Sequence, residues 1–184
     1  MAKLNKILKN IPNALTVLRI LLIPILVISF YLEGKMSHYV STGIFIFASI
    51  TDYIDGVLAR YWKVQTNFGR MLDPIADKML VASILLMLVD QKIASVIPIV
   101  IILCREIFVS GMREYLASIQ KTVPVRFVGK VKTAIQMIAI IILLLGSHVP
   151  VSNHALIGEM CLWIAAALTL ISGGFYFVEG LKHI

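Results

Sequence analysis

The sequence predicts an all-α integral membrane protein, and three observations carry that reading. Hydrophobic residues make up 59% of the 184-residue chain and charged residues 15%, against roughly 45–50% and about 25% in soluble domains. A soluble domain of this size has no interior large enough for that much apolar surface, so lipid must be part of the solvent. The apolar residues gather into six runs near the length that spans a bilayer, about 20 residues. No strand-like alternation survives for more than a few residues. Disorder, a collagen-like fibre and a disulfide scaffold are excluded by the same composition.

The six predicted transmembrane helices are 14–32, 39–60, 73–89, 93–116, 130–146 and 155–178. Gly34 follows the first run, Pro124 separates the fourth from the fifth, and Gly146 with Pro150 separates the fifth from the sixth. Ahead of them, Leu4, Ile7, Leu8 and Ile11 recur at helical spacing with Lys3, Lys6 and Lys9 on the other face. That pattern predicts an amphipathic interfacial segment over 1–12, lying on an anionic membrane surface and ended by Pro12. Residues 13–184 then form a single membrane domain. The basic start resembles a signal peptide, but Arg19 interrupts the apolar run and no A-x-A site follows Leu32, so cleavage is not expected.

The net charge of +7 could suggest nucleic acid, but the positions of the cations argue for a membrane face. With the N-terminus cytoplasmic, only Lys35 and Lys92 of the 17 Lys and Arg residues fall outside. This asymmetry predicts that both termini face the cytoplasm, as an even number of spans requires. The expected location is the inner, cytoplasmic membrane, and no nucleic-acid partner is expected. Cys104 and Cys161 lie in apolar sequence without a CxxC pattern and read as packed hydrophobes. His38, His148, His154 and His183 make no zinc pattern.

Ionisable groups at membrane depth are costly and are therefore functional candidates. Asp52, Asp55, Asp73 and Asp77 gather around the cytoplasmic ends of the second and third spans. At about 100° per residue, Asp52 and Asp55 share one helical face and Asp73 and Asp77 share another. Gly56 and Ala59 continue the first stripe and Gly69 precedes the second, which leaves room for a bulky phosphorylated ligand. With Pro74 in a first helical turn, Asp73 can also serve as an N-cap. Four converging carboxylates repel one another unless neutralised. Oxygen donors clustered in this way suit Mg²⁺ or Mn²⁺, and two such ions would balance the charge and could hold a pyrophosphate. The alternative is an interfacial salt-bridge lattice with Arg60, Lys63, Arg70 and Lys78.

The stretch from Asp52 to Asp77 resembles the signature of the CDP-alcohol phosphatidyltransferases. That signature is DxxDGxxAR, eight residues, then GxxxDxxxD, and Asp52, Asp55, Gly56, Ala59, Arg60, Gly69, Asp73 and Asp77 fill every defined position. The resemblance implies six transmembrane helices, a homodimer and a cytoplasm-facing pocket with two divalent ions, Mg²⁺ or Mn²⁺. By the same resemblance Asp52, Asp55 and Asp73 are metal ligands, and Asp77 is the general base, also within reach of a metal. Asp52, Gly56, Ala59, Arg60 and Gly69 would line the site for CDP-diacylglycerol, with Arg60 on the diphosphate.

Arg105 and Arg113 lie eight residues apart, about 80° around a helix, so both can face one pocket. Further cations follow at Arg126, Lys130 and Lys132. These segments, with Asn13, Thr16 and Arg19 near the start, look like the phosphatidylglycerophosphate synthase branch of the family. Its acceptor, sn-glycerol 3-phosphate, carries a phosphate that gives the cations a ligand. Lys130 and Lys132 are about 200° apart on a helix and cannot both face one pocket. Lys130 shares a stripe with Thr133, whereas Gly129, Lys132 and Gln136 form the other. The expected acceptor-phosphate residues are Arg105, Arg113 and Lys130; for Lys121, Arg126 and Lys132 ordinary membrane-face anchoring is the alternative reading, and which of Lys130 and Lys132 faces the acceptor stays open. Arg105 has a blander reading as a neighbour of Glu106 with a partner elsewhere.

The expected activity is transfer of a phosphatidyl group from CDP-diacylglycerol to sn-glycerol 3-phosphate, releasing CMP. Other acceptors such as inositol phosphate, serine or a lipid alcohol are the alternative within the family. A cation or metabolite transporter is the alternative from another class, disfavoured because the acids cluster on one side and no broken helix places them at the midplane.

Overall fold

The structure, a computed structural model, describes residues 2–61, 67–121, 127–146 and 153–181. Side chains are described for those residues except 2–13, 53, 55–61, 67, 68 and 70. The described residues form six helices and no strand: α1 (Ala2–Ser29), α2 (Lys35–Tyr61), α3 (Asn67–Asp90), α4 (Val96–Ser118), α5 (Phe127–Leu145) and α6 (His154–Leu181). At 1.5 Å per residue these 19- to 28-residue helices are about 28–42 Å long, comparable to a hydrocarbon core. Two of them, α5 and α6, are long and apolar enough throughout to cross a membrane by composition alone. Ala14–Ser29 of α1 is a shorter apolar stretch among the described residues.

Two boundaries differ from expectation. The first helix does not end at Pro12 but runs through it from Ala2 to Ser29. An apolar helix tolerates the missing N–H where surrounding groups satisfy the backbone. The third helix begins at Asn67, so Asp73 sits two turns inside it and Pro74 is internal. Asp73 is therefore not an N-cap.

The chain divides into two compact units, 1–87 and 88–184, with α3 running across the division. In the first unit α1 packs on α2, burying Ile23, Leu26, Phe30, Phe45 and Ala48, while Leu80, Ile84 and Leu85 are buried along α3. The α1–α2 turn is tied by polar atoms. The Ser29 and Ser41 hydroxyls meet at 2.7 Å, Ser37 Oγ donates to the Phe30 carbonyl, and Gly34 adopts φ +62° to reverse the chain.

In the second unit α6 packs against both α4 and α5. Ile99, Ile102, Val109 and Leu116 of α4, Ile140 and Leu143 of α5, and Leu162, Ala165 and Ala166 of α6 form the core. Gly158 and Gly173 on α6 permit the close approach. A Cβ at Gly158 would stand 2.7 Å from the Leu143 side chain, and one at Gly173 would stand 3.0 Å from Arg105 Cγ. The neighbouring Gly174 has open space, so only Gly173 of that pair serves this packing. Glu159 of α6 accepts the Ser95 amide at the start of α4 and the Trp163 indole N–H. Cys104 is exposed on α4 rather than packed, and Cys161 is half-buried; both are free thiols.

The ends of α3 and α4 close in the same way. Lys92 and Gln120 take the left-handed conformation after their helices. The following amides, Ile93 and Lys121, reach back to the Leu88 and Leu116 carbonyls at 2.9 and 2.8 Å. This is the Schellman closure, here made without the usual glycine.

Candidate active site

Three helices of the first unit supply the acidic site. Asp52 lies near the C-terminal end of α2, and Asp73 and Asp77 lie one turn apart on α3. Each of the first two is held from α1. The Arg19 guanidinium forms an ion pair with Asp52, Nη1 to Oδ1 at 2.7 Å, and the Thr16 hydroxyl donates to Asp73 Oδ1 at 2.5 Å. Thr16 and Arg19 are almost wholly buried, whereas the Asp52 side chain is 41% exposed. Asp52 lies close enough to feel the attraction of Arg19 and, with opposite sign, the repulsion of Asp73. Asp77 is exposed and Gly69, one turn before Asp73, is buried. The side chains of Asp55, Ala59 and Arg60, and the surroundings of Gly56, lie outside the described residues, as do Lys63 and Arg126.

The described donors, Asp52, Asp73 and Asp77, offer only hard carboxylate oxygens, and all three are partly or wholly exposed. Such a set fits Mg²⁺ or Mn²⁺ and does not fit zinc, which takes nitrogen and sulfur ligands. No group of three or more metal-ligating side chains is complete among the described residues.

The second unit contains a different ionic cluster. Glu106 Oε1 accepts from Arg105 Nη1 at 2.8 Å and from Lys132 Nζ at 2.5 Å. Arg105 Nη2 also donates to Ser172 Oγ at 2.7 Å, and its guanidinium lies 5.8 Å from the Tyr176 ring centroid. Lys132 and Gln136 are buried on one face of α5, and Lys130 and Thr133 are exposed on the other. The two stripes read from the sequence are therefore two faces of the helix. Lys132 is not a membrane-face anchor; it is a buried partner of Glu106. Arg105 has the Glu106 contact of its blander reading together with Ser172 and Tyr176. Arg113 is exposed.

A model of the CDP-alcohol phosphatidyltransferase family matches residues 9–171. The chain belongs to the CDP-alcohol phosphatidyltransferase family. Among curated relatives, the CDP-diacylglycerol–glycerol-3-phosphate 3-phosphatidyltransferase of Rickettsia bellii is 46% identical over 97% of this chain and 99% of its own length. The protein of the same name from Rickettsia felis is 44% identical over 95% of this chain and 97% of its own. That from Pseudomonas fluorescens is 43% identical, covering 95% and 92%. As a member of this phosphatidyltransferase family the chain is an enzyme, a transferase of phospholipid biosynthesis.

Sequence reasoning had placed Thr16 and Arg19 in the family resemblance without assigning their partners. It treated Arg19 as one more cytoplasmic cation. A usable signal was present, because an arginine five residues into the predicted apolar span 14–32 must find a counter-charge. Thr16, one turn earlier, shares its face. Glu106 was overlooked as a shared anchor because its partner Lys132 lies 26 residues away.

Proposed function

We propose that this enzyme transfers a phosphatidyl group from CDP-diacylglycerol to sn-glycerol 3-phosphate, giving phosphatidylglycerophosphate and CMP. The relatives' names support these substrates. The observation that carries the chemistry is the pair of carboxylates from α2 and α3, Asp52 and Asp73, held by a single turn of α1 within electrostatic reach of each other. In this reading Asp52, Asp55, Asp73 and Asp77 hold two divalent cations, Mg²⁺ or Mn²⁺. When bound, these ions neutralise the diphosphate and the charge that develops on departing CMP.

The chain's own residues do the rest. Gly56, Ala59 and Gly69 leave space for the nucleotide diphosphate, and Arg60 pairs with it. Asp77 takes the proton from the acceptor hydroxyl. That oxygen bonds to the phosphorus bearing diacylglycerol, and the bond from this phosphorus to the CMP oxygen breaks. Arg105, Arg113 and Lys130 supply positive charge for the acceptor phosphate. Six spans with both termini and the active site on the cytoplasmic side of the inner membrane let the acyl chains stay in lipid while the headgroup meets a soluble acceptor. The active form is a homodimer.

The test is an acceptor panel with radiolabelled CDP-diacylglycerol and the purified protein. Labelled phosphatidylglycerophosphate formed from sn-glycerol 3-phosphate alone supports the reading. Preference for serine, inositol phosphate or a lipid alcohol removes the role given to Lys130 and Arg113. Cation flux in sealed vesicles without nucleotide would point to a transporter instead.

A further inference from the structure

Two side chains that nothing in the acidic signature includes reach two of its aspartates from a single turn of α1. Arg19 pairs with Asp52 on α2, and Thr16 donates to Asp73 on α3. Each contact engages Oδ1 of its carboxylate. The spacing of three residues puts the two donors about 60° apart on one face. Both donors are buried, and the Arg19 side chain is 0% exposed.

We propose that Thr16 and Arg19 are positioning residues: they fix Asp73 and Asp52 so that the second oxygen of each carboxylate is presented to the divalent cations. The inference rests on the reading of Asp52 and Asp73 as metal ligands. A carboxylate on an unrestrained side chain swings through several rotamers, and two that repel each other swing apart. A donor on one oxygen stops the swing and directs the other oxygen. Outer partners of metal ligands act in this way, and their loss typically lowers metal affinity about 10- to 100-fold.

The choice of residue types agrees with the role. Arginine keeps its charge when buried, here with one guanidinium nitrogen set against Asp52 Oδ1, whereas a buried lysine gives up its proton readily. Threonine donates one hydrogen bond and is restricted at χ1, so it orients without adding charge beside the cations.

The experiment titrates Mn²⁺ alone into the full-length, tag-free protein in detergent micelles. Loss of the free Mn²⁺ resonance gives the affinity, and a thermal melt of the same samples reports the fold. Thr16→Val removes the hydroxyl at nearly constant volume, Thr16→Ser keeps it, and Arg19→Lys keeps charge without the fork. The expected result is about tenfold weaker Mn²⁺ binding for Thr16→Val and for Arg19→Lys, with Thr16→Ser within about twofold of the parent. Parental Mn²⁺ affinity in Thr16→Val, with or without a lower melting temperature, would overturn the inference. If Arg19→Lys fails to fold, the Thr16 pair decides alone. A parent that binds no Mn²⁺ refutes the ligand reading itself, and the inference falls with it.

Discussion

The two compact units carry ionic clusters built around different groups. In the first, the buried Arg19 pairs with the carboxylate Asp52, and Thr16 donates to a second carboxylate, Asp73. In the second, one carboxylate, Glu106, stands against two cations, Arg105 and Lys132. Both obey the rule that charge in an apolar interior must be paired. They differ in exposure. The Asp52 side chain of the first is 41% exposed, whereas the Lys132 side chain of the second is 5% exposed. Negative charge at an open edge attracts cations. Positive charge suits a phosphate, and part of it here is consumed in holding helices together.

The comparison breaks most visibly at the aspartates. Asp52→Asn, Asp55→Asn or Asp73→Asn should lower CMP release on the order of 1,000-fold or more, because each removes charge from the cation site. Asp77→Asn should spare CDP-diacylglycerol binding while turnover falls, and equal loss of both would contradict its separate role. In the second unit the larger effect should be on stability. Glu106→Gln leaves Lys132 buried without its counter-charge and should cost about 2–3 kcal/mol, toward the low end for broken buried pairs because Glu106 is partly exposed. Adding Lys132→Met should recover more than half of that loss in a thermal melt.

Exposed cations of the second unit sharpen the contrast between structural and ligand-binding charge. Lys130→Ala and Arg113→Ala should each raise the KM for glycerol 3-phosphate about 10-fold with little change in melting temperature, as expected for one charge-assisted hydrogen bond. The smallest effect is expected away from both clusters. Gln120→Gly relieves the left-handed conformation after α4 and should stabilise by about 0.5–1 kcal/mol, read in the same melt.

The six helices were legible because each is an apolar run bounded by glycine, proline or charge. The opposite faces occupied by Lys130 and Lys132 were legible from helical angle alone. Two boundaries were not: Pro12 and Pro74 both read as helix ends or starts, yet both lie inside helices. Local proline sterics set that expectation, and packing of an apolar helix overrides it. At the site, the aspartates stood out because acids are rare in apolar sequence. Their holders did not, since Thr16 to Asp73 spans 57 residues and hydroxyl contacts leave no periodic trace. Cys104 was misread as packed because an apolar neighbourhood in sequence does not distinguish a core face from a lipid face.

The most direct test of the account is CMP release by the purified protein in micelles containing CDP-diacylglycerol, with sn-glycerol 3-phosphate and Mg²⁺ or Mn²⁺ added or withheld. The account predicts release only when both acceptor and divalent cation are present, and its abolition by chelator. Release that proceeds equally fast without glycerol 3-phosphate, or undiminished in excess chelator, would contradict it.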